Sequence, residues 1–329
     1  MGMPRRPREW HRRAVQRIFL AILLLLALSL ALAMLRRPAA PATLTIATWN
    51  LEWLVSPATA HAARLACSSG HRATLPCDVA REHSRDSADL ARLRRYAQRL
   101  DADVIAFQEV QSADIAARVF DNHDICIATG RGVQHVGFAI RRGVAHRCGP
   151  QFDALSLGGA QRAAMTLSLF PDSARTIELL AVHLKSGCAD AELQSGATAC
   201  TVLSAQAQQL AQWIAAHAGS RFILLGDFNR GDAEVEADEF WRTLSGSETT
   251  ETPYAFASEG VAFSNCQIGA GFTRAIDHIL VSRALLSEVV PRSFRKTGYS
   301  EADALQYRLP DHCPVSFSLT RGTGATSIR

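Results

Sequence analysis

Six short segments of this chain carry an apolar run into a polar cluster. They read Thr48-Trp49-Asn50-Leu51-Glu52, Phe107-Gln108-Glu109-Val110, His183-Leu184-Lys185, Gly226-Asp227-Phe228-Asn229, Ala275-Ile276-Asp277-His278 and Pro310-Asp311-His312. The residues leading in are stretches such as Val104-Ile105-Ala106-Phe107 and Phe222-Ile223-Leu224-Leu225. Apolar runs of about 4–8 residues bounded in this way read as buried strands. Their polar ends then arrive at a sheet edge, where sites are built. One such segment is a capped strand end; six together call for a site. The carboxamides, carboxylates and histidines among them form a donor set suited to metal-assisted phosphoester hydrolysis.

The intervening pattern predicts strands over 103–109, 136–142, 163–169, 177–183, 221–229, 275–282 and 314–319. Helices are predicted over 84–100, 204–217 and 233–244, the first with Leu90, Leu93, Tyr96, Ala97 and Leu100 at helical spacing. Arg92, Arg94, Arg95 and Arg99 on that helix read as its solvated side, and Trp213 and Trp241 as core. Strands outnumber helices and fall partly in neighbouring pairs, which predicts two packed sheets with helices outside. Along the 329 residues no Gly/Ser/Pro-rich linker or repeat follows Pro41, so residues 44–320 read as one large domain. Residues 321–329 read as a disordered tail.

The N-terminus is a separate matter. Residues 18–35 form an uncharged apolar run of 18 residues, about 27 Å long as a helix and close to a bilayer core. Six arginines precede it and two follow it. The expectation is a single-pass anchor in the cytoplasmic membrane, with residues 1–17 as a basic cytoplasmic N-terminus and the rest exported to the periplasm. Cleavage as a signal peptide near Ala31-Leu32-Ala33, giving a secreted protein, is the alternative. Residues 36–43 then form a short linker. The net charge of +4 hides an asymmetry, because residues 1–37 carry eight arginines and one glutamate and leave −3 for the remainder. A domain of that charge has no bulk basic field of the kind that drives nonspecific nucleic-acid binding. All eight cysteines fit export. Cys67/Cys77 and Cys188/Cys200 bracket short polar loops and predict local disulfides, with Cys126/Cys148 and Cys266/Cys313 as further pairs. No Cys-x-x-Cys occurs, which disfavours structural zinc.

From about Leu44 to Leu319 the chain resembles the deoxyribonuclease I-like endonuclease/exonuclease/phosphatase superfamily. Gly226-Asp227-Phe228-Asn229 and the terminal Asp311-His312 carry the resemblance most specifically, in matching order and spacing. It implies a four-layer α/β/β/α sandwich and a metal-dependent phosphoesterase. It also implies Asn50 and Glu109 at the metal, Asp227 and Asn229 on the scissile phosphate, His183 as the first active-site histidine and His312 as the second, paired with Asp277. Arg162 resembles the arginine that family nucleases set on substrate phosphate.

The residues themselves agree with these roles. Mg²⁺, with Mn²⁺ or Ca²⁺ as alternatives, prefers hard oxygen ligands; Glu109, Asn50 and Asp311 supply them, with Glu52 as a further candidate. Asp227 and Asn229 sit two apart, which on a strand sends both to one face while Phe228 packs the other way. His183 and Lys185 have the same spacing, so Lys185 is a candidate phosphate contact. His278 falls on the opposite face from Asp277 and reads as structural. Two departures stand out. Gln134 occupies the place nearest to the acid that orients the first histidine in the family, and Pro310 replaces the usual serine before Asp-His. The expected activity is phosphodiester hydrolysis by a monomer, with nucleic acid as the first substrate class. A sphingomyelinase-like phospholipid diesterase follows, then a phosphomonoesterase, and, outside enzymes, an inactive binding module.

Overall fold

The computed structural model describes Ile22 and residues 43–320, apart from 232–236, 247–251, 259–260, 262–265 and 267–274. The chain divides after Ala42 into two units. The apolar run 18–35, the linker and the 321–329 tail lie outside the described residues, Ile22 and Thr43 excepted. Among the described residues no helix is long and apolar enough to cross a membrane.

Residues 43–320 build two six-stranded sheets. The first contains β1 (Thr43–Leu54), β2 (Val104–Val110), β3 (His123–Ile127), β4 (His135–Arg141), β11 (Arg295–Lys296) and β12 (Val315–Thr320), in the order β11-β12-β1-β2-β4-β3. The second runs β5-β6-β7-β8-β10-β9, with β5 His146–Phe152, β6 Ala164–Leu169, β7 Ile177–His183, β8 Phe222–Asp227, β9 Tyr254–Phe256 and β10 Asp277–Ser282. Both sheets are mixed, because β1 runs parallel to β2 and β7 to β8 while their other pairings are antiparallel.

Alternation along each strand decides the layers. Ile46, Val104, Phe138, Leu179, Ile223, Ile279 and Phe317 point inward and fill the slab between the sheets. Their neighbours point outward, beneath the helices. Ala47, Ile105 and Phe107 meet α3 (Ser87–Leu100) and α4 (Ala113–Val119). Leu180, Phe222 and Leu224 meet α5 (Thr198–Ala216) and α6 (Glu239–Ser245). Trp213 and Trp241 lie in that outer layer. Between β1 and α3 a helical pair, α1 (Pro57–Ser68) and α2 (Cys77–Glu82), packs around its own small core of Ala60, Ala63, Leu75 and Ala80. A last short helix, α7 (Glu301–Gln306), precedes β12.

Several boundaries differ from the sequence expectation for local reasons. The helix expected from Ser84 begins at Ser87, because Asp86 caps it and forms a capping box with Asp89, a strong local stop. The helix expected from Ser204 begins six residues earlier at Thr198, where buried Cys200 is joined to Cys188. In the third, α6 starts at Glu239, where Asp238 caps it; residues 233–236 of the expected span are outside the described set. Strand β8 stops at Asp227 and not Asn229, because Asp227 Oδ1 accepts the Asn229 N–H at 2.8 Å and turns the chain.

All four cysteine pairs are joined: Cys67–Cys77, Cys126–Cys148, Cys188–Cys200 and Cys266–Cys313. The Cys67–Cys77 bond links α1 to α2. The two sulfurs of Cys126 and Cys148 lie near His146, but they are bonded to each other and offer no thiolate to a metal.

Candidate active site

The inward-facing row of each central strand changes character at one end of the slab. On β1 the row runs Leu44, Ile46, then Thr48 and Asn50; on β2, Val104, Ala106, then Gln108. On β7 it runs Leu179, Ala181, His183, and on β8 Ile223, Leu225, Asp227; β10 opens on Asp277 before Ile279 and Val281. Strand pairing aligns these ends. His183 stands opposite Asp227 in the parallel β7–β8 ladder, and Asp227 stands opposite Asp277 in the antiparallel β8–β10 ladder. Three ionisable side chains therefore lie side by side at the end of an apolar slab. Gly226 lets these strands close up: its φ is 144°, and a Cβ there would collide with the Val182 carbonyl.

Asp227 is the hub. Its Oδ2 accepts from Asn50 Nδ2 at 2.9 Å, lies 3.4 Å from His183 Nε2 and 3.8 Å from His312 Nε2. Burial pushes this carboxyl up to about 7, with Asp277 adding to the rise and His312 opposing it. His312 enters from the segment before β12 and places Nδ1 2.6 Å from Asp277 Oδ2. Burial alone would lower the His312 imidazole, but Asp277, through charge and hydrogen bond, and then Asp227 hold it well above its ordinary value. A second backbone clamp fixes the same residue. The Tyr299 hydroxyl donates to the His312 carbonyl at 2.6 Å and accepts from Trp49 Nε1 at 2.9 Å.

His183 is the opposite case. It is buried and pushed well below its ordinary value by desolvation, then by Arg162 and His312. Its Nδ1 has no hydrogen-bond partner among the described residues. Gln134 does not orient it; the Gln134 carbonyl accepts instead from Arg162 Nη1 at 3.3 Å. Arg162 also donates to the His183 and Leu184 carbonyls, at 3.5 and 2.9 Å. Lys185 is not on the strand, since β7 ends at His183, and its ammonium donates to the Ser186 carbonyl at 3.0 Å. His278, on the face opposite Asp277, meets the Arg230 carbonyl at 2.8 Å within the outer aromatic cluster.

The acids at the mouth arrive by irregular backbone. Strand alternation would send Glu109 outward behind Gln108. A left-handed backbone, φ 62°, swings it back, so that Oε1 lies 3.4 Å from Asn50 Nδ2 and Oε2 accepts the Trp53 N–H at 3.0 Å. Glu52 and Trp53 are also left-handed, φ 42° and 54°. Such non-glycine conformations cost of order 1–3 kcal/mol each and concentrate at functional sites. Asn229, φ 50°, is a further case, and its amide donates to the Leu184 carbonyl at 3.1 Å. It thus meets Asp227 through a turn and not through strand alternation. Glu52 is held by His83 Nδ1 at 2.8 Å, Arg85 Nη2 at 3.4 Å and the Asp311 N–H at 3.2 Å. Burial raises its carboxyl, and Asp311 raises it further. Arg85, itself buried, also donates to the Arg308 carbonyl at 2.8 Å. No pattern in the sequence marked His83, Arg85 or Tyr299.

A divalent cation fits this donor set. Glu109 and the 38 % exposed Asp311 carboxylate are hard oxygen donors beside the Asn50 amide. Asn50 Oδ1 accepts only the Glu52 N–H at 2.9 Å and keeps a second lone pair. Ligand atoms of Asp227, Asp277 and His312 also lie within 4.8 Å of one another. In that trio Asp277 Oδ2 is committed to His312, so the trio is better suited to moving protons than to enclosing an ion.

Comparison with known proteins agrees with this geometry. Residues 47–300 match the model of the endonuclease/exonuclease/phosphatase family. The chain belongs to that family and is a metal-dependent hydrolase of phosphoester bonds. No curated protein matches it. A solved structure of humanized TDP2 from D. rerio superposes with a TM-score of 0.57 at 17% identity, covering 84% of this chain and 98% of that one. An AP endonuclease from Leishmania major gives 0.56 at 16%, covering 86% and 89%. A D. rerio TDP2 complexed with single strand DNA product gives 0.53 at 18%, covering 84% and 98%. At these identities the likeness is one of fold.

Proposed function

We propose that the protein is an exported phosphodiesterase acting on nucleic acid, tethered through residues 18–35 with its catalytic domain on the periplasmic side. The observation that carries the chemistry is the aligned row His183–Asp227–Asp277, with His312 locked to Asp277 at 2.6 Å. A Mg²⁺-class ion held by Asn50, Glu109 and Asp311 supplies electrophilic stabilisation of the phosphoryl oxygens when bound. The chain's own groups divide the protons. Asp227, poised at about 7, is the base that receives the proton of the attacking water. His312, kept cationic by Asp277, offers its Nε2–H to the oxygen of the leaving group as the phosphorus–oxygen bond breaks. His183, kept neutral by burial, donates from Nε2 to the phosphoryl group, and the amide of Asn229 steadies the same oxygens. Arg162 adds charge from the side. The four disulfides support an oxidising compartment. DNA in a fold neighbour's complex supports nucleic acid as the substrate class.

A phospholipid diester is the second reading, favoured by the apolar segment 18–35 and the −3 charge that remains outside residues 1–37. The deciding experiment offers plasmid DNA, RNA, sphingomyelin and a phosphomonoester with Mg²⁺, Mn²⁺ or Ca²⁺. Cleavage of DNA or RNA, lowered by about 10²–10³ or more in Asp277→Asn, is the expected result. Cleavage of sphingomyelin alone overturns the nucleic-acid reading. A reporter that works only outside the cytoplasm, fused after Arg329, tests the topology.

A further inference from the structure

Beside the catalytic row lies a concavity of about 230 Å³, between the β3–β4 connection and the segment from β5 to β6. Its walls include Thr129, Arg131, Gln134, Gln151, Gln161 and Arg162. Arg162 is the shared wall, since its guanidinium reaches the carbonyls of His183 and Leu184 on the catalytic side.

Arginine and amide donors outnumber the acidic groups in this cavity. Arg162 spends three of its five N–H donors on the His183, Leu184 and Gln134 oxygens. It makes no ion pair with a carboxylate among the described residues, although burial pushes its guanidinium down. Gln134 has its carbonyl on Arg162, which leaves its NH₂ free to donate. The side chains of Arg131 and Gln161 have no partner within the described residues. The lining also includes one carboxylate, Asp153, and several of the acceptors are in use. Gln151 Oε1 takes the Thr129 N–H at 2.9 Å, and Asp153 Oδ1 takes Gln151 Nε2 at 2.5 Å. Two cations and three amides face the space against the one carboxylate of Asp153, so its balance of charge is positive, and Gln161 supplies the one uncommitted amide acceptor. Among the described residues no tryptophan, tyrosine or phenylalanine lines it, so it lacks the cage that would receive a quaternary ammonium headgroup.

We propose that this cavity is a second-phosphate subsite, holding a phosphate of the same substrate one linkage away from the diester that is cut. The proposal rests on the phosphodiesterase reading above. It gives the glutamine at position 134 a purpose: an acid there would add a second negative charge to that of Asp153 and cancel the positive balance of the wall, whereas an amide adds a donor. A second phosphate can come from an internal linkage of a nucleic acid or from a terminal monoester, and a lipid diester with one phosphate has neither.

The test compares TpT, which has one phosphate, with pTpT, TpTp and TpTpT under the best metal found in the four-substrate assay. The Michaelis constant is expected to fall at least about tenfold when the second phosphate is present on the productive side, the size of one charge-assisted hydrogen bond. Advantage for TpTpT alone assigns the subsite to an internal linkage; advantage for pTpT or TpTp extends it to a terminal monoester. In Arg131→Gln the ratio of the TpT constant to the two-phosphate constant falls toward one, and the isosteric Gln134→Glu lowers it as well. Equal constants for all four compounds overturn the proposal, as does a ratio preserved in both variants. Should no diester be cleaved, the phosphodiesterase reading fails on its own. Calorimetric titration of the protein with pTpT, TpTp, TpTpT and TpT then still decides this one, with equal affinities refuting it.

Discussion

The two sheets bring their functional groups to the same edge by different means. The sheet containing β7, β8 and β10 does it by regular pairing: His183, Asp227 and Asp277 continue inward rows that are otherwise Leu179, Ala181, Ile223, Leu225 and Ile279. The sheet containing β1 and β2 leaves the ladder. Its pairing shifts between Asn50 and Leu54, and Glu52, Trp53 and Glu109 adopt left-handed backbone. Proton chemistry needs groups held at fixed mutual distances, and a continuous ladder gives that rigidity. A cation needs several oxygens converging on one point, and a flat pleat spreads its side chains apart. Strained backbone at the mouth brings those oxygens together.

That contrast can be broken most directly at the ladder end. His312→Ala and Asp277→Asn are expected to lower turnover by about 10²–10³ or more, the effect of losing one well-placed group facing developing charge. Binding of substrate should change little, so the loss falls in kcat. Near-full activity in both folded variants would overturn the division of roles. At the mouth, Glu109→Ala is expected to raise the metal concentration for half-maximal activity by at least about 10–100-fold, since even outer partners of metal ligands have effects of that size. A metal titration that is unchanged in Glu109→Ala removes the cation from this edge.

A third measurement separates the ladder from its environment. Folded Asp227 and His312 both hold their protons to higher pH than they would unfolded. Each therefore stabilises the metal-free fold at low pH and gives up that stabilisation as pH rises, Asp227 between about 4 and about 7 and His312 from about 6.5 upward. Melting temperatures of metal-free protein should fall across this window, and less steeply in Asp227→Asn. Parallel curves for the two proteins would contradict the buried hub. The smallest effect is expected at Lys185, whose ammonium is turned to the Ser186 carbonyl. Lys185→Ala should raise the Michaelis constant by no more than about two- to fivefold, as befits an exposed charge, and a large loss of turnover there would bring Lys185 into the site.

Legibility in the sequence followed the same division. The four central strands of the second sheet were readable to within about two residues, as with Ile177–His183, because a buried strand writes an unbroken apolar run. Its edge strands β5 and β9, less buried, were not read. Asp227 could be placed at the end of its run, whereas Asp277, which opens β10, was assigned through the family resemblance. Glu109 was readable only as part of a motif, since alternation from Phe107 gives it the wrong face. Asn229 was placed beside Asp227 for a strand reason that the turn replaces. The helical pair 57–82 left no strong periodic signal, its apolar residues being mostly alanines in a small core of its own. With it went any view of Arg85, a buried cation whose partners are Glu52 and the carbonyl of Arg308, a residue 223 positions away.

Local chemistry, then, was fixed by the chain itself: where apolar runs stop, which donors follow them, and that the donor set is one of hard oxygens and imidazoles. Hydrophobic periodicity acts over a few residues, so a linear reading can capture it. Tertiary structure decided the states and partners of those groups. Asp227 and His312 keep their protons to higher pH, and His183 sheds its own at lower pH, because strands distant in sequence bury them together beside one another's charges. Gln134 turned to Arg162 and not to His183 for the same reason: competition among buried neighbours settles a hydrogen bond, and which neighbours are present depends on how the two sheets meet.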